Sequence, residues 1–272
     1  MSTSTNFASP GTTLSSGAIL PADAKGLVMA DLHLDAVAAP SYRFALAMLR
    51  EALALHELAD LWILGDLFEA WIGDDAALDE HAELTDALRA LAEHGCRVSL
   101  MHGNRDFLIG DAFAAAAGAT LIRDDETVAT LGHTSVLLLH GDTLCTDDHD
   151  YQQLRQRLRS RDWQSDFLAR SAEERTAIAR QLRHESRSAG REKASAIMDV
   201  NDTAVAERFR AHPDIAIMVH GHTHRPARHD LEVLIDGTPC PRQRLVVGDW
   251  HDDHAVCLVA GDDGPVLMTL KA

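Results

Sequence analysis

Three histidines on alternate residues, His220, His222 and His224, follow the apolar run Ile215-Ala216-Ile217-Met218-Val219. Such a run reads as a buried strand. Each imidazole at its end would need a polar partner if packed in a core, whereas all three are good ligands for a divalent metal. One His-x-His is weak evidence, but the theme recurs. Residues 27–30 run apolar into Asp31-Leu32-His33, and 61–64 into Gly65-Asp66. Residues 97–101 lead to His102-Gly103-Asn104-Arg105-Asp106, and 135–139 lead to His140-Gly141-Asp142. In open α/β sheets ligands bind beyond the carboxyl ends of the strands. Ligand-type residues at every one of these ends outweigh the reading of them as turn residues and helix caps.

Carboxylate, amide and imidazole donors together suit Mn²⁺, Fe²⁺ or Zn²⁺ better than Mg²⁺ or Ca²⁺. Two carboxylates and neutral histidines around two divalent ions leave a formal +2, ready for a phosphate and a hydroxide. Metal pairs of this kind, about 3.5–4 Å apart, clamp the attacking and leaving oxygens of an in-line displacement.

The elements that must position these residues follow from pattern. Pro40 and Ser41 open a helix whose apolar positions Tyr42, Leu46, Leu49 and Leu53 keep the helical period, with Ser41 read as its N-cap. An amphipathic helix is expected over 79–94. Strands are expected over 127–131, 231–235, 244–247, 255–259 and 266–270. Strand–helix alternation followed by a run of strands predicts an α/β sandwich of two sheets. Residues 1–25 carry no basic residue before Lys25 and no apolar block, so they read as a disordered extension rather than a signal peptide. The rest, 26–272, reads as one domain.

Composition sets limits. A chain of 272 residues that is 46% apolar can bury a sizeable core. The formal charge of -17 argues against general nucleic-acid binding and unspecific adhesion to anionic lipid. Cys96, Cys145, Cys240 and Cys257 form no C-x-x-C pair, which fits reduced thiols in the cytosol. No apolar run reaches the length of a membrane span.

Residues 151–210 break the rhythm: they show no strand pattern and read as helical. Between 151 and 193, eleven Lys and Arg stand against six acids, in an otherwise acidic chain. Most of these arginines read as a solvated helical face. The local excess nevertheless suits an anionic ligand beneath an inserted lid, placed at about 151–200.

The series Asp31-x-His33, Gly65-Asp66, Gly103-Asn104, His140-Gly141 and Gly221-His222-x-His224 resembles the calcineurin-like metallophosphoesterase superfamily over residues 27–225. The resemblance implies a sandwich of two β-sheets flanked by helices. It assigns Asp31, His33, Asp66 and His224 to one metal, and Asp66 as the bridge, with Asn104, His140 and His222, to the other. His220 and His102 are left as structural.

Most of that superfamily has His after Gly-Asn, acting as a general acid. This chain has Arg105, which is always charged and cannot give up a proton. Its leaving group should therefore need none. A phosphate monoester meets that condition and a simple alcohol does not. The reading is a pyrophosphate substrate with Arg105 on phosphate oxygens; the other reading is an ion pair of Arg105 with Asp106.

Longer strings narrow the resemblance. Residues 65–75, 102–108, 140–148, 196–201 and 220–226 are similar to the UDP-2,3-diacylglucosamine hydrolase family of lipid A biosynthesis. That implies cleavage of a UDP-linked diacylated glucosamine to UMP and 2,3-diacylglucosamine 1-phosphate, with two Mn²⁺ per chain. It implies peripheral attachment to the cytoplasmic face of the inner membrane, with no protein partner expected. Substrate contacts would fall on Asn104, Arg105, Asp148, Ser186, Lys193 and His222, with Asn104, Arg105 and His222 acting in catalysis. Gly190 departs from the family's Asn. The lid would hold acyl chains, with Trp163/Phe167 and Ile178/Leu182 sharing helix faces either for that purpose or to pack the lid on the body. Two rivals remain open: a general phosphoesterase acting on nucleotide or aryl esters, and a scaffold without catalysis.

Overall fold

The central apolar runs at 27–30, 61–64 and 136–139 are covered on both faces, so they lack the alternation of a half-exposed sheet. The computed structural model describes residues 20–192 and 199–272. Its elements run β1 (Gly26–Met29), α1 (Pro40–Ala52), β2 (Asp60–Leu64), α2 (Asp74–Ala77), α3 (Ala82–Glu93), β3 (Arg97–Met101), α4 (Asp111–Ala117) and β4 (Thr120–Ile122). Then come β5 (Glu126–Leu131), β6 (Thr134–Leu139), α5 (His149–Leu158), α6 (Arg161–Leu168), α7 (Ala172–Glu192) and α8 (Asp202–Ala211). Last are β7 (Ile217–His220), β8 (Ala227–Ile235), β9 (Thr238–Val246), β10 (His254–Gly261) and β11 (Gly264–Lys271).

Two sheets face each other. One has the order β11-β10-β1-β2-β3-β4, the other β5-β6-β7-β9-β8. Strands β1 to β4 are parallel neighbours, as are β6, β7 and β9. Alternate side chains divide the core. Val28, Leu64, Val136, Leu138, Val219 and Leu258 meet between the sheets. Leu27, Met29, Leu61 and Ile63 point outward to a cluster shared with α1, α3 and α4, while Leu137, Leu139 and Met218 pack on α8. Parallel order sends the ends of β1, β2, β3, β6 and β7 to one rim.

Several sequence expectations change. Pro40 rather than a residue after Ser41 begins α1; Ala39 is the N-cap and makes no side-chain cap bond. The proline ring presets the helical φ at the first position, and the Ser41 N–H donates to Asp252 Oδ1 at 3.2 Å instead of to a capping side chain. The helix expected from 79 is split, with a 3-10 turn over Leu78–His81 before α3. Helix α4 and strand β4 were not anticipated. Residues 20–25, expected to be disordered, are part of the fold: Leu20 and Ala24 are buried, and Lys25 N donates to Ala260 O. Residues 1–19 lie outside the described residues.

Candidate metal centre

The rim is built by backbone before side chains contribute. Among the described residues, non-glycine positions with positive φ are Asp31, His33, Asp66, His222, His224, Asp236 and Asp249. Five of these are sequence-predicted metal ligands. A left-handed conformation costs a non-glycine residue about 1 kcal/mol or more, and clusters of such residues mark functional sites. These five lie just beyond the ends of β1, β2 and β7, where the chain turns and brings their side chains to the rim. Gly65 and Gly103 let two of these turns interlock. A Cβ on Gly103 would collide with the Asp66 carboxylate and backbone, and one on Gly65 with the Gly103 backbone. Asp106 fixes the turns together: its carboxylate accepts from Gly103 N (2.8 Å), Leu67 N (2.7 Å) and Asp66 N (3.3 Å). Asp106 is thus occupied by backbone N–H groups, while Arg105 Nε stands 3.9 Å from Asp66 Oδ2.

Side chains from distant segments converge there. Ligand atoms of Asp31, His33 and His224 lie within 4.8 Å of one another, as do those of Asp31, Asp66 and His140. Asp66 stands between the two groups, with Oδ2 3.7 Å from His33 Nε2 and Oδ1 3.8 Å from His140 Nε2. Those separations are too long for hydrogen bonds. They suit ligands sharing an ion, each bonded at about 2 Å. His33 Nε2 and His224 Nε2 face each other at 3.1 Å. The Asn104 amide lies 3.0 Å from both His140 Nε2 and His222 Nδ1. Because His140 Nδ1 donates to Leu64 O (2.8 Å), its Nε2 presents a lone pair to that amide. Either an amide turned to donate its NH₂ or a cation shared by these atoms relieves the conflict.

Does this donor set fit a metal pair? Asp31 Oδ1 is buried and has no hydrogen-bond partner, while Oδ2 accepts from His222 N at 2.8 Å. An orphaned buried carboxylate oxygen is costly unless a cation meets it. Burial first, and then the neighbouring Asp66 charge, push Asp31 up to about 7. Burial would raise Asp66 too, but His140, His33 and Arg105 outweigh it and hold Asp66 below the usual carboxylate range. Burial and neighbouring imidazoles lower His222 and His224 to about 4, so both are neutral donors near pH 7. Burial opposes charge on His140, yet Asp66, Asp142 and Asp31 raise it. An acidic pocket that stabilises positive charge and is lined by neutral imidazoles fits divalent cations.

His220 is separate. It is buried, with Nδ1 donating to Gly221 O (2.8 Å) and Nε2 3.0 Å from Arg244 Nη1. His102 is likewise tied to Ile109 O at 2.8 Å. Neither joins the ligand groups.

Beside the rim an apolar cleft is walled by Trp71, Phe107, Leu108, Leu158, Trp163, Phe167 and Leu182, with Asn104, Arg105 and Ser186 also on its lining. Trp163 and Phe167 stack at 4.8 Å, while Ile178 packs into the body core. Asp148 caps α5 by accepting from Tyr151 N (3.1 Å). Lys193 lies outside the described residues; α7 runs through Gly190 to Glu192.

The sequence missed the arginine anchors of α5 to α7. Arg155 Nε donates to Asp142 (2.7 Å), Arg159 Nη2 to Gly103 O (2.9 Å), and Arg175 to Ile72 O (2.7 Å) and Asp75 (2.8 Å). Arg183 pairs with Glu69. These side chains grip loops that carry or adjoin the ligands instead of lying on a solvated face. Nothing in local spacing signals them, since Arg175 and Asp75 are 100 residues apart.

Residues 25–226 match the family model of the calcineurin-like phosphoesterases, a family with dinuclear metal sites. A UDP-2,3-diacylglucosamine hydrolase of Chromohalobacter salexigens is 46% identical over 88% of this chain and 94% of its own. The chain belongs to the UDP-2,3-diacylglucosamine hydrolase family of calcineurin-like phosphoesterases. Relatives of the same name are 43% identical in Marinobacter nauticus (89% of this chain, 96% of that one) and 48% identical in Pseudomonas entomophila (82% and 90%). Among the described residues no helix is long and apolar enough to cross a membrane.

Proposed function

We propose that the protein hydrolyses the pyrophosphate of UDP-2,3-diacylglucosamine to UMP and 2,3-diacylglucosamine 1-phosphate. The observation that carries this is the convergence of the ligand-type side chains, with Arg105, on a rim that opens into an apolar cleft. Asp31, His33, Asp66 and His224 would hold one Mn²⁺; Asp66, Asn104, His140 and His222 would hold the other. When bound, the ions supply Lewis-acid stabilisation of phosphate oxygens and lower the pKa of water.

The chain's own residues do the rest. Arg105 offsets charge developing on the phosphates and gives no proton, which suits a phosphate leaving group. Asn104 and His222 hold the phosphate nearer uridine, which water attacks. Asp148, Ser186 and Lys193 bind the remainder of the substrate, and the cleft under α5 to α7 takes the acyl chains as a lid. The active protein works at the cytoplasmic face of the inner membrane, where its lipid substrate resides.

UMP release from the diacylated sugar nucleotide should require manganese and stop on chelation. Inertness with manganese present would reject the reading.

A further inference from the structure

We propose that Glu69 is a positioning residue that couples the helical insertion to the metal centre, through a chain from Arg183 on α7 to Glu69 to His33. The inference rests on the reading of His33 as a metal ligand given above.

Backbone pairing first puts Glu69 beside His33. An isolated parallel bridge joins Leu34 to Phe68; Leu34 N donates to Leu67 O (2.9 Å) and Glu69 N donates to Leu34 O (3.0 Å). Next, His33 Nδ1 is buried and makes no in-line hydrogen bond, while Glu69 Oε2 stands 3.2 Å from it. Finally, the other carboxylate oxygen, Oε1, is paired with Arg183 Nη2. One carboxylate is thus divided between the candidate ligand and the insertion. All three side chains are largely shielded, with 20%, 21% and 17% exposure for His33, Glu69 and Arg183, so solvent screens them less than surface pairs.

A carboxylate against Nδ1 keeps the proton on that nitrogen and leaves Nε2 with its lone pair. Nε2 is the atom that faces His224 and Asp66. The orientation of Glu69 depends in turn on Arg183, and Arg183 lies on the same helix as Ala179, Leu182 and Ser186, which line the cleft. A shift of α7 therefore bears on His33 through one carboxylate. By linkage, metal binding at His33 must bear on α7 to the same extent.

Full-length protein with Glu69→Gln, with Arg183→Gln and with both is compared with its parent. All carry His251→Ala and His254→Ala, because Asp249, His251 and His254 form a separate group of ligand atoms within 4.8 Å. Manganese affinity is read by paramagnetic resonance titration, and α7 by amide hydrogen exchange with and without manganese. Glu69→Gln should weaken manganese binding roughly tenfold. Arg183→Gln should weaken it about threefold, with no further loss in the double variant. Manganese should slow exchange along α7 in the parent and not in the variants. Parent-like affinity in Glu69→Gln, or metal-induced slowing that survives in both single variants, overturns the coupling. If Glu69→Gln fails to fold, Arg183→Gln carries the same two readouts. A parent that binds no manganese would reject the metal-centre reading instead.

Discussion

The metal rim and the helical insertion sit side by side and are held by opposite means. The rim is fixed by backbone: left-handed turns at Asp31, His33, Asp66, His222 and His224, interlocked glycines and the Asp106 carboxylate. The insertion is fixed by side chains, with arginines on its helices reaching across to Asp142, Gly103, Asp75 and Glu69. Backbone-fixed groups hold their geometry without substrate, as electrostatic catalysis requires. Helices tethered by a few ion pairs can adjust to a long, variable ligand. The contrast predicts that rim changes alter turnover, while changes at tethers that do not reach a candidate ligand, such as Arg175, alter substrate capture.

Three substitutions test that division, beginning with the largest effect. Asp66→Ala removes the carboxylate between the two ligand groups and should lower kcat on the order of 10³-fold. Steady-state rates in saturating manganese measure it, and a loss below tenfold would break the account of the rim. Arg105→His installs a general acid where the leaving group needs none. It should cost about 10²-fold in kcat on the pyrophosphate, whereas a gain would favour the general phosphoesterase. Arg175→Met cuts the tether to Ile72 O and Asp75. Its expected signature is KM raised several-fold with kcat nearly unchanged, the pattern of lost uniform binding; a fall in kcat alone would erase the distinction between the regions.

The smallest effect concerns pH. His81 is buried among Phe68 and Trp71 and hydrogen-bonded to Tyr42 Oη at 2.9 Å; burial holds its pKa below the ordinary value. The folded form stays neutral while the unfolded chain takes up a proton below about pH 6.5. The unfolded state then binds more protons, so stability falls as pH drops through that window, by at most about 1.4 kcal/mol per pH unit. Denaturant titrations of metal-free His81→Gln should show a shallower decline than the parent. Equal slopes would show that His81 does not contribute.

The rim was legible because each candidate ligand stands where an apolar run meets a turn, a boundary that local pattern marks well. Arg105 stood out as a departure from a familiar motif, and its Nε lies 3.9 Å from Asp66 Oδ2. Helix α4 and strand β4 were not legible: Asp111–Ala117 is a short alanine-rich stretch and Thr120–Ile122 has only 3 residues, too little to show a period. Ser41 misled because the helix already begins at Pro40 and the Ser41 N–H is met by Asp252, a residue far along the chain. The tethers could not be read at all, since Arg183 and Glu69 are separated by 114 residues and only the folded sheet brings them together. Basic excess in the insertion hinted at anionic partners, and some of those partners are acids of the protein itself.

The most direct test of the central claim compares two substrates on one preparation. UDP-2,3-diacylglucosamine and the same sugar nucleotide without acyl chains are offered with manganese, and UMP is measured before and after chelation. The account predicts rapid, chelator-sensitive release from the diacylated substrate, with kcat/KM for the unacylated one lower on the order of 10²-fold or more. Equal kcat/KM values, or release that persists without metal, would contradict it.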